Sequence, residues 1–201
     1  MSLIQVLVAL AIAGVVSSVM ISIFMNSLRS SEYINAKYTF MDLMGNVAKV
    51  VDQNAYCPKA FNMGTASSLS PLSMPTGKNT YGIDVIVQKI GGQNLLIAEK
   101  NQKIGPNFVI DDMHLEYQKD THGVPIAVAV DSPAAGQVTH HLNLIISASQ
   151  GTGYGSRQFN NTMNPISMTI VTDKATNGIV SCYGSTSGGA GAVIWSKTIT
   201  S

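Results

Sequence analysis

The sequence predicts an α+β protein in which one long N-terminal helix packs on an antiparallel β-sheet. Three observations predict it. Residues 1–25 (MSLIQVLVALAIAGVVSSVMISIFM) are apolar, and the first charged side chain is Arg29. From Arg29 to Gln53 there is no Pro and Gly45 is the only Gly, while Ile34, Tyr38, Met41, Met44, Ala48 and Val51 recur at the three-and-four spacing of an amphipathic helix. From Tyr81 onward the pattern changes to period two and β-branched residues. Strands that follow one another behind a single helix, rather than alternating with helices, favour an antiparallel sheet.

The helix comes first. About twenty helical residues span the hydrocarbon core of a bilayer, so the run from Leu3 to about Phe24 is long enough to cross a membrane. Charges then enter at Arg29, Glu32, Lys37, Asp42, Lys49 and Asp52, interspersed with the apolar positions, and the helix is expected to end near Asn54, before the turn Tyr56-Cys57-Pro58. This divides the chain into an apolar half-helix (1–28), an amphipathic half-helix (29–54) and a loop with a C-terminal β-domain (55–201), residues 29–201 forming one globular head. Residues 58–80, rich in Ser, Pro, Thr and Gly, read as a surface loop. Strands are expected over 81–90, 94–99, 107–118, 125–130, 138–149, 166–172, 178–183 and 192–198. Gly91-Gly92 marks a hairpin, Asp120 to Gly123 a turn, and 151–164 a polar loop. DKATNG (173–178) joins two strands, and GSTSGGAG (184–191) is a flexible link to the last one.

Composition narrows the function classes. Only 11% of the residues are charged and the net charge is +1, against about 25% charged in an average soluble chain. No basic patch is present to track phosphates, so nucleic acid is not an expected partner. Little like-charge repulsion opposes packing against copies of the same chain. No nucleophile elbow, HExxH zinc motif or phosphate-binding loop occurs; GTGYGSR (151–157) lacks the Gly-Lys-Ser/Thr ending. Neither an enzyme activity nor a cofactor is expected.

The run Met1-Ser2-Leu3-Ile4-Gln5-Val6-Leu7-Val8-Ala9-Leu10 resembles the mature start of type IV pilins and of the pseudopilins of type II secretion. The likeness is close over about thirty residues and architectural beyond them. It implies a pilin-like fold and processing at Met1 by a prepilin peptidase, with methylation of the new N-terminus. The absence of a basic leader agrees with a chain already processed. It further implies residence in the bacterial inner membrane, then assembly on a pilus platform into a helical surface filament with copies of itself or other pilins. Small residues, Ala9, Ala11, Ala13, Gly14, Ser17 and Ser18, suit close helix packing in such a filament core. Gly14 is the weakest helical position there; the family often melts its helix between such a Gly and a later Pro, and here Ser22 stands where that Pro is expected. The departure is Gln5, where the family usually carries a Glu that meets a neighbour's terminal amine. A glutamine amide supplies a hydrogen-bond acceptor but no charge. Either this is a repeating subunit that docks through a hydrogen bond, or it is a minor or tip subunit with no neighbour ahead of it.

In an exported chain, Cys57 and Cys182 are expected to form a disulfide; two buried thiols is the other reading. Asp112, His114 and Glu116 share one face of a strand, which suits a metal but more often is a solvated face. His140 and His141 should point to opposite faces. Asp173 and Asn177 offer weak calcium ligands against plain turn chemistry, and Asn160-Asn161-Thr162 is a glycosylation sequon that carries little weight in a bacterial chain. Tyr33, Tyr38 and Phe40 are expected to pack sheet against helix. The function expected is a structural pilin-like subunit of a surface filament serving adhesion, motility or uptake. The alternatives are a minor or tip pilin or pseudopilin and, from another class, a membrane-anchored binding module that does not polymerise.

Overall fold

The computed structural model describes residues 3–53, 57–75, 77–105, 108–119, 122, 130–131, 136–150, 158–160, 162 and 164–184. Helix α1 (Leu3–Asp52) is 50 residues long, about 75 Å at the α-helical rise, and runs through Gly14 and Ser22 without a break. A 3-10 turn follows at Cys57–Lys59. Then come β1 (Phe61–Thr65), β2 (Ser68–Pro71), β3 (Thr80–Gly82), β4 (Val85–Ile90), β5 (Gln93–Glu99), β6 (Phe108–Tyr117), β7 (Val130–Asp131), β8 (Gln137–Gln150), β9 (Gln158–Asn160), β10 (Ile166–Asp173) and β11 (Ile179–Gly184). The α+β class and the antiparallel pairing are as the sequence predicts.

There are two sheets among the described residues, where one was expected. A four-stranded sheet runs β2-β1-β4-β5, and a seven-stranded sheet runs β11-β10-β8-β6-β3, with β7 and β9 also paired to β8. The expected strand 81–90 is the place where they part. Its first residues belong to β3 beside β6, and its last to β4 beside β1 and β5. The break at Ile83-Asp84 is stitched to both sides: the Ile83 N–H donates to the Met113 carbonyl, and the Asp84 N–H to that of Asn62. The segment 58–80 is not a plain loop either. It holds β1 and β2 and buries Phe61, Leu72 and Met74. Its Ser-rich outer strand needs only backbone pairing, so composition did not announce it. Of the expected strand 125–130 only Val130 is described, at the start of β7; strand 192–198 lies outside the described residues, and of the expected loop 151–164 residues 158–160 form β9 on β8 instead, while 151–157 lie outside the described residues.

The two-residue turn at Gly91-Gly92 is as expected. Both residues have positive φ (57° and 87°), and Ile90 faces Gln93 across it, the backbone that a tight hairpin demands and glycine supplies. The core lies between α1 and the inner faces of the sheets. Ala36, Phe40, Leu43, Met44, Val47, Val50 and Val51 bury one side of the helix against residues such as Ile110, Met113 and Leu115 of β6 and Leu142, Leu144 and Ile146 of β8. The expected stripe is met in part: Met44 and Val51 are in the core and Met41 and Ala48 are half-buried, but Ile34 and Tyr38 are 47% and 64% exposed. The sequence carries apolar residues on two sides of this half-helix, and periodicity alone does not say which side meets the sheet.

Candidate functional site

The first candidate is the N-terminal half of α1. Every described side chain from Leu3 to Ser31 is exposed, Ala9 not being among them, with Leu3, Ile12 and Phe24 at 79%, 59% and 65%. By length and composition this is a helix able to cross a membrane: its most apolar window averages a hydropathy of 2.6 and none of it is buried in the fold. A monomeric soluble protein rarely exposes a contiguous apolar patch beyond about 600 Å², and a cover of lipid or protein would suit this one. Its hydroxyls suit either. Ser18 Oγ donates to the Val15 carbonyl at 2.8 Å and Ser22 Oγ to that of Ser18 at 3.0 Å, so neither enters an apolar phase unpaired. Gly14 has nothing within 4 Å of the position its Cβ would take, which leaves its surface open to a neighbouring helix. Gln5 lies on this exposed stretch; Met1 lies outside the described residues.

The second half of α1 is clamped to the head at both ends. At the end near the stem, Phe159 of β9 stacks on Phe40 and packs against Tyr33 and Phe108, with ring centroids 5.8, 4.9 and 4.6 Å away. The roles expected of Tyr33 and Phe40 are met; Tyr38 points away from this cluster and is exposed. Phe159 is the residue that sequence reading missed. The available signal was a lone aromatic between Gln158 and Asn160 in an otherwise polar stretch. Beside it, Gly105 (φ 81°) lies so close to the helix that a Cβ there would sit 3.3 Å from that of Ala36.

At the far end, Cys57 and Cys182 form the expected disulfide, with Cα atoms 5.8 Å apart and both residues fully buried. It joins the turn after α1 to β11, closing a sequence separation of 125 residues. Two residues on, Gly184 packs on Asp52 so closely that a Cβ would collide with the carboxylate. Edge strand β11 is thus held by a covalent bond to the turn that follows α1, and Gly184 packs beside Asp52 in the last turn of the helix.

The remaining candidates resolve into structure. His140 and His141 do point to opposite faces. His140 is buried, its Nδ1 2.7 Å from the Tyr117 hydroxyl and its Nε2 2.9 Å from Thr172 Oγ1, while His141 meets Thr169 on the outer face. Burial, aided by the neighbouring His141, lowers the pKa of His140 below the ordinary imidazole value. Burial and the Tyr117 hydroxyl hold the Tyr81 phenol well above its ordinary range. Asp112, His114 and Glu116 share the outer face of β6 as expected, but as separate pairs: Asp112 bonds His114 at 2.6 Å and Glu116 meets Lys119 at 3.3 Å. Among the described residues no group of three potential ligands converges on a metal-sized space. Asp173 Oδ1 accepts the N–H groups of Ala175 and Thr176 and the Thr176 hydroxyl, and these bonds hold its carboxyl below the usual carboxylate range. Asn177 takes the left-handed backbone (φ 55°) that closes the same turn. Turn chemistry accounts for both residues.

No family model matches the chain, and no curated protein and no solved structure matches it either.

Proposed function

We propose that this chain is a structural, pilin-like subunit that polymerises through α1 into a type IV pilus-like surface filament. The observation that carries the reading is the division of one unbroken helix: its first half is apolar and wholly uncovered, and its second half is fixed to the head by an aromatic cluster and a disulfide. A helix built in this way moves from lipid to a bundle of like helices at little net hydrophobic cost, because both surroundings are apolar. The small residues at Ala11, Ala13 and Gly14 favour the bundle. The task is assembly, with no catalytic step and no cofactor. Before assembly the stem anchors the subunit in the inner membrane, and the prepilin peptidase and assembly platform are its transient partners. Adhesion, motility and uptake are the services such a filament renders.

A second reading, a minor or tip subunit, is favoured by one residue. Gln5 offers no charge to a neighbour's amine, a loss that matters least where no neighbour lies ahead. Electron microscopy of material sheared from cells, with the subunit identified by mass spectrometry, tests both. Abundant filaments made of this chain, lost when the prepilin peptidase is deleted, are the expected result. Trace amounts in filaments of another subunit favour the tip reading. A chain that stays in the membrane fraction, with no filaments and no dependence on the peptidase, makes it a tethered binding module and overturns the proposal.

A further inference from the structure

The tip of the β4–β5 hairpin carries an apolar face that the described head leaves in water. Gln88 and Leu95 are directly opposed across the ribbon, and Ile90 stands two residues beyond Gln88, so all three side chains project from one face. Ile90 and Leu95 are 49% and 53% exposed and adjoin on the diagonal of the ladder. Lys89 is the single charged residue between Asp84 and Glu99, and alternation sends it to the other face with Leu96. The Ile90–Leu95 face of the tip therefore carries no charge.

The end of β11 lies beside this face. Gln88 Nε2 donates to Gln53 Oε1 at 3.4 Å, which turns the Ile90–Leu95 face toward the end of α1. Asp52, the residue before Gln53, packs on Gly184 at the end of β11: a Cβ on Gly184 would stand 3.3 Å from the Asp52 Cα. By way of Asp52, Gln53 and Gln88, Leu95 is thus at most about 26 Å from Gly184. Residues 185–201 lie outside the described residues. Their sequence begins with STSGGAG (185–191) and continues with AVIW (192–195), an apolar run that holds the chain's single tryptophan, Trp195. The eight Cα steps from Gly184 to Ala192, in a Gly- and Ser-rich sequence, average about 16 Å end to end and reach about 28 Å when fully extended.

We propose that residues 192–195 of this same chain pack on the Ile90–Leu95 face, with the Trp195 indole lying across both side chains. Burying an indole removes about 150–250 Å² of aromatic surface from water, and an uncharged face of two branched aliphatic side chains asks no partner of opposite charge. Connection by the chain selects the occupant. A short flexible tether holds its own segment near the tip at an effective concentration on the order of millimolar, well above that of a second copy in a micromolar solution. The contact straps the C-terminal part of the chain to the end of α1, beside the disulfide, and closes the hairpin tip to other partners. It goes beyond the filament reading and does not rest on it, because it forms within a single subunit.

Because Trp195 is the single indole, its fluorescence in the full-length, detergent-solubilised protein tests the contact. Acrylamide should quench it about threefold more slowly than in the urea-unfolded chain, as a ring shielded on one face requires. Leu95→Asp and Ile90→Asp should each restore the fast rate, since a carboxylate is costly to desolvate against the ring. Val180→Ser, at an exposed position of β11, should leave the protection unchanged. A second variant leaves the hairpin intact: Trp195→Ala should speed amide hydrogen exchange severalfold over residues 88–96 and leave β8 as it was. Quenching as fast as in the unfolded chain, protection that survives both Asp variants, or unaltered exchange in Trp195→Ala overturns the proposal. Protection lost on dilution also overturns it, because a second copy then supplies the cover. So does strong quenching by a brominated detergent, which places the indole in the micelle. All these readouts are taken on solubilised single subunits, so each failure leaves the filament reading standing.

Discussion

At the scale of single residues, the buried His140 ties stability to pH. In the fold its pKa lies below that of an exposed imidazole, so below about pH 6.5 the unfolded chain binds a proton that the folded chain resists. The contribution is fully present above the unfolded value and is lost as pH falls through the folded one. Melting scans at pH 7 and pH 5 should therefore show a drop that His140→Gln, which keeps hydrogen-bonding capacity toward Tyr117 and Thr172, makes shallower; an equal drop in both proteins refutes the assignment. A glycine supplies the second residue-scale case. Gly64 has φ 97°, and a Cβ there would collide with the Ser68 carbonyl across the β1–β2 turn. Gly64→Ala should cost about 2 kcal/mol through strain at positive φ, read as a lower denaturation midpoint. The sequence displays His140 and Gly64 but not their surroundings. That His140 would be buried follows from alternation along β8; that Thr172 and Tyr117 would flank it depends on the register with β10 and β6, which no local pattern states.

At the scale of elements, the question is what holds a long helix to a small head. The aromatic cluster and the disulfide act at the two ends of the packed half of α1. Phe159→Ala should destabilise the head by about 3–5 kcal/mol, as a large-to-small change in a packed core does, measured by chemical denaturation with the disulfide intact. Replacing both cysteines by Ser removes a long closed loop from the unfolded chain. The chain-entropy account gives about 5 kcal/mol for a loop of this length as a ceiling, and native disulfides are typically worth about 2–5 kcal/mol. The measurement is the same denaturation with and without reductant, and a shift in the Cys57→Ser/Cys182→Ser variant on adding reductant would mean that some other bond is responsible. Elements with strong periodicity were legible: α1, β5, β6, β8 and β10 all lie within two residues of their expected bounds, and the Gly91-Gly92 turn is where it was expected. The short strands β1, β2 and β9 were not. Their stability comes from pairing with partners distant in sequence, so a window of a few residues in a Ser- or Asn-rich stretch holds no sign of them.

At the scale of the whole molecule, the filament proposed above makes Gln5 the residue to test, because on that proposal it separates a subunit that repeats from one that ends a filament. In an apolar bundle an unpaired amide costs about 1–3 kcal/mol, and an unpaired carboxylate considerably more. If this chain repeats along a filament and docks through its amide, Gln5→Ala removes a hydrogen bond per subunit, and the loss recurs at every step of growth. Filament length, measured in electron micrographs of cells expressing the variant as the only copy, should then shorten severalfold. Gln5→Glu should leave length unchanged or increased, since a carboxylate facing a neighbour's terminal amine forms a charge-assisted bond about twice as strong as a neutral one. A tip subunit behaves differently. It enters each filament once, so Gln5→Ala changes at most how many filaments start, and Gln5→Glu buries a charge with no partner ahead and lowers that number. Length and number are separate readouts of the same micrographs. The two roles therefore predict opposite responses to a change of a single side-chain atom, from amide nitrogen to carboxylate oxygen.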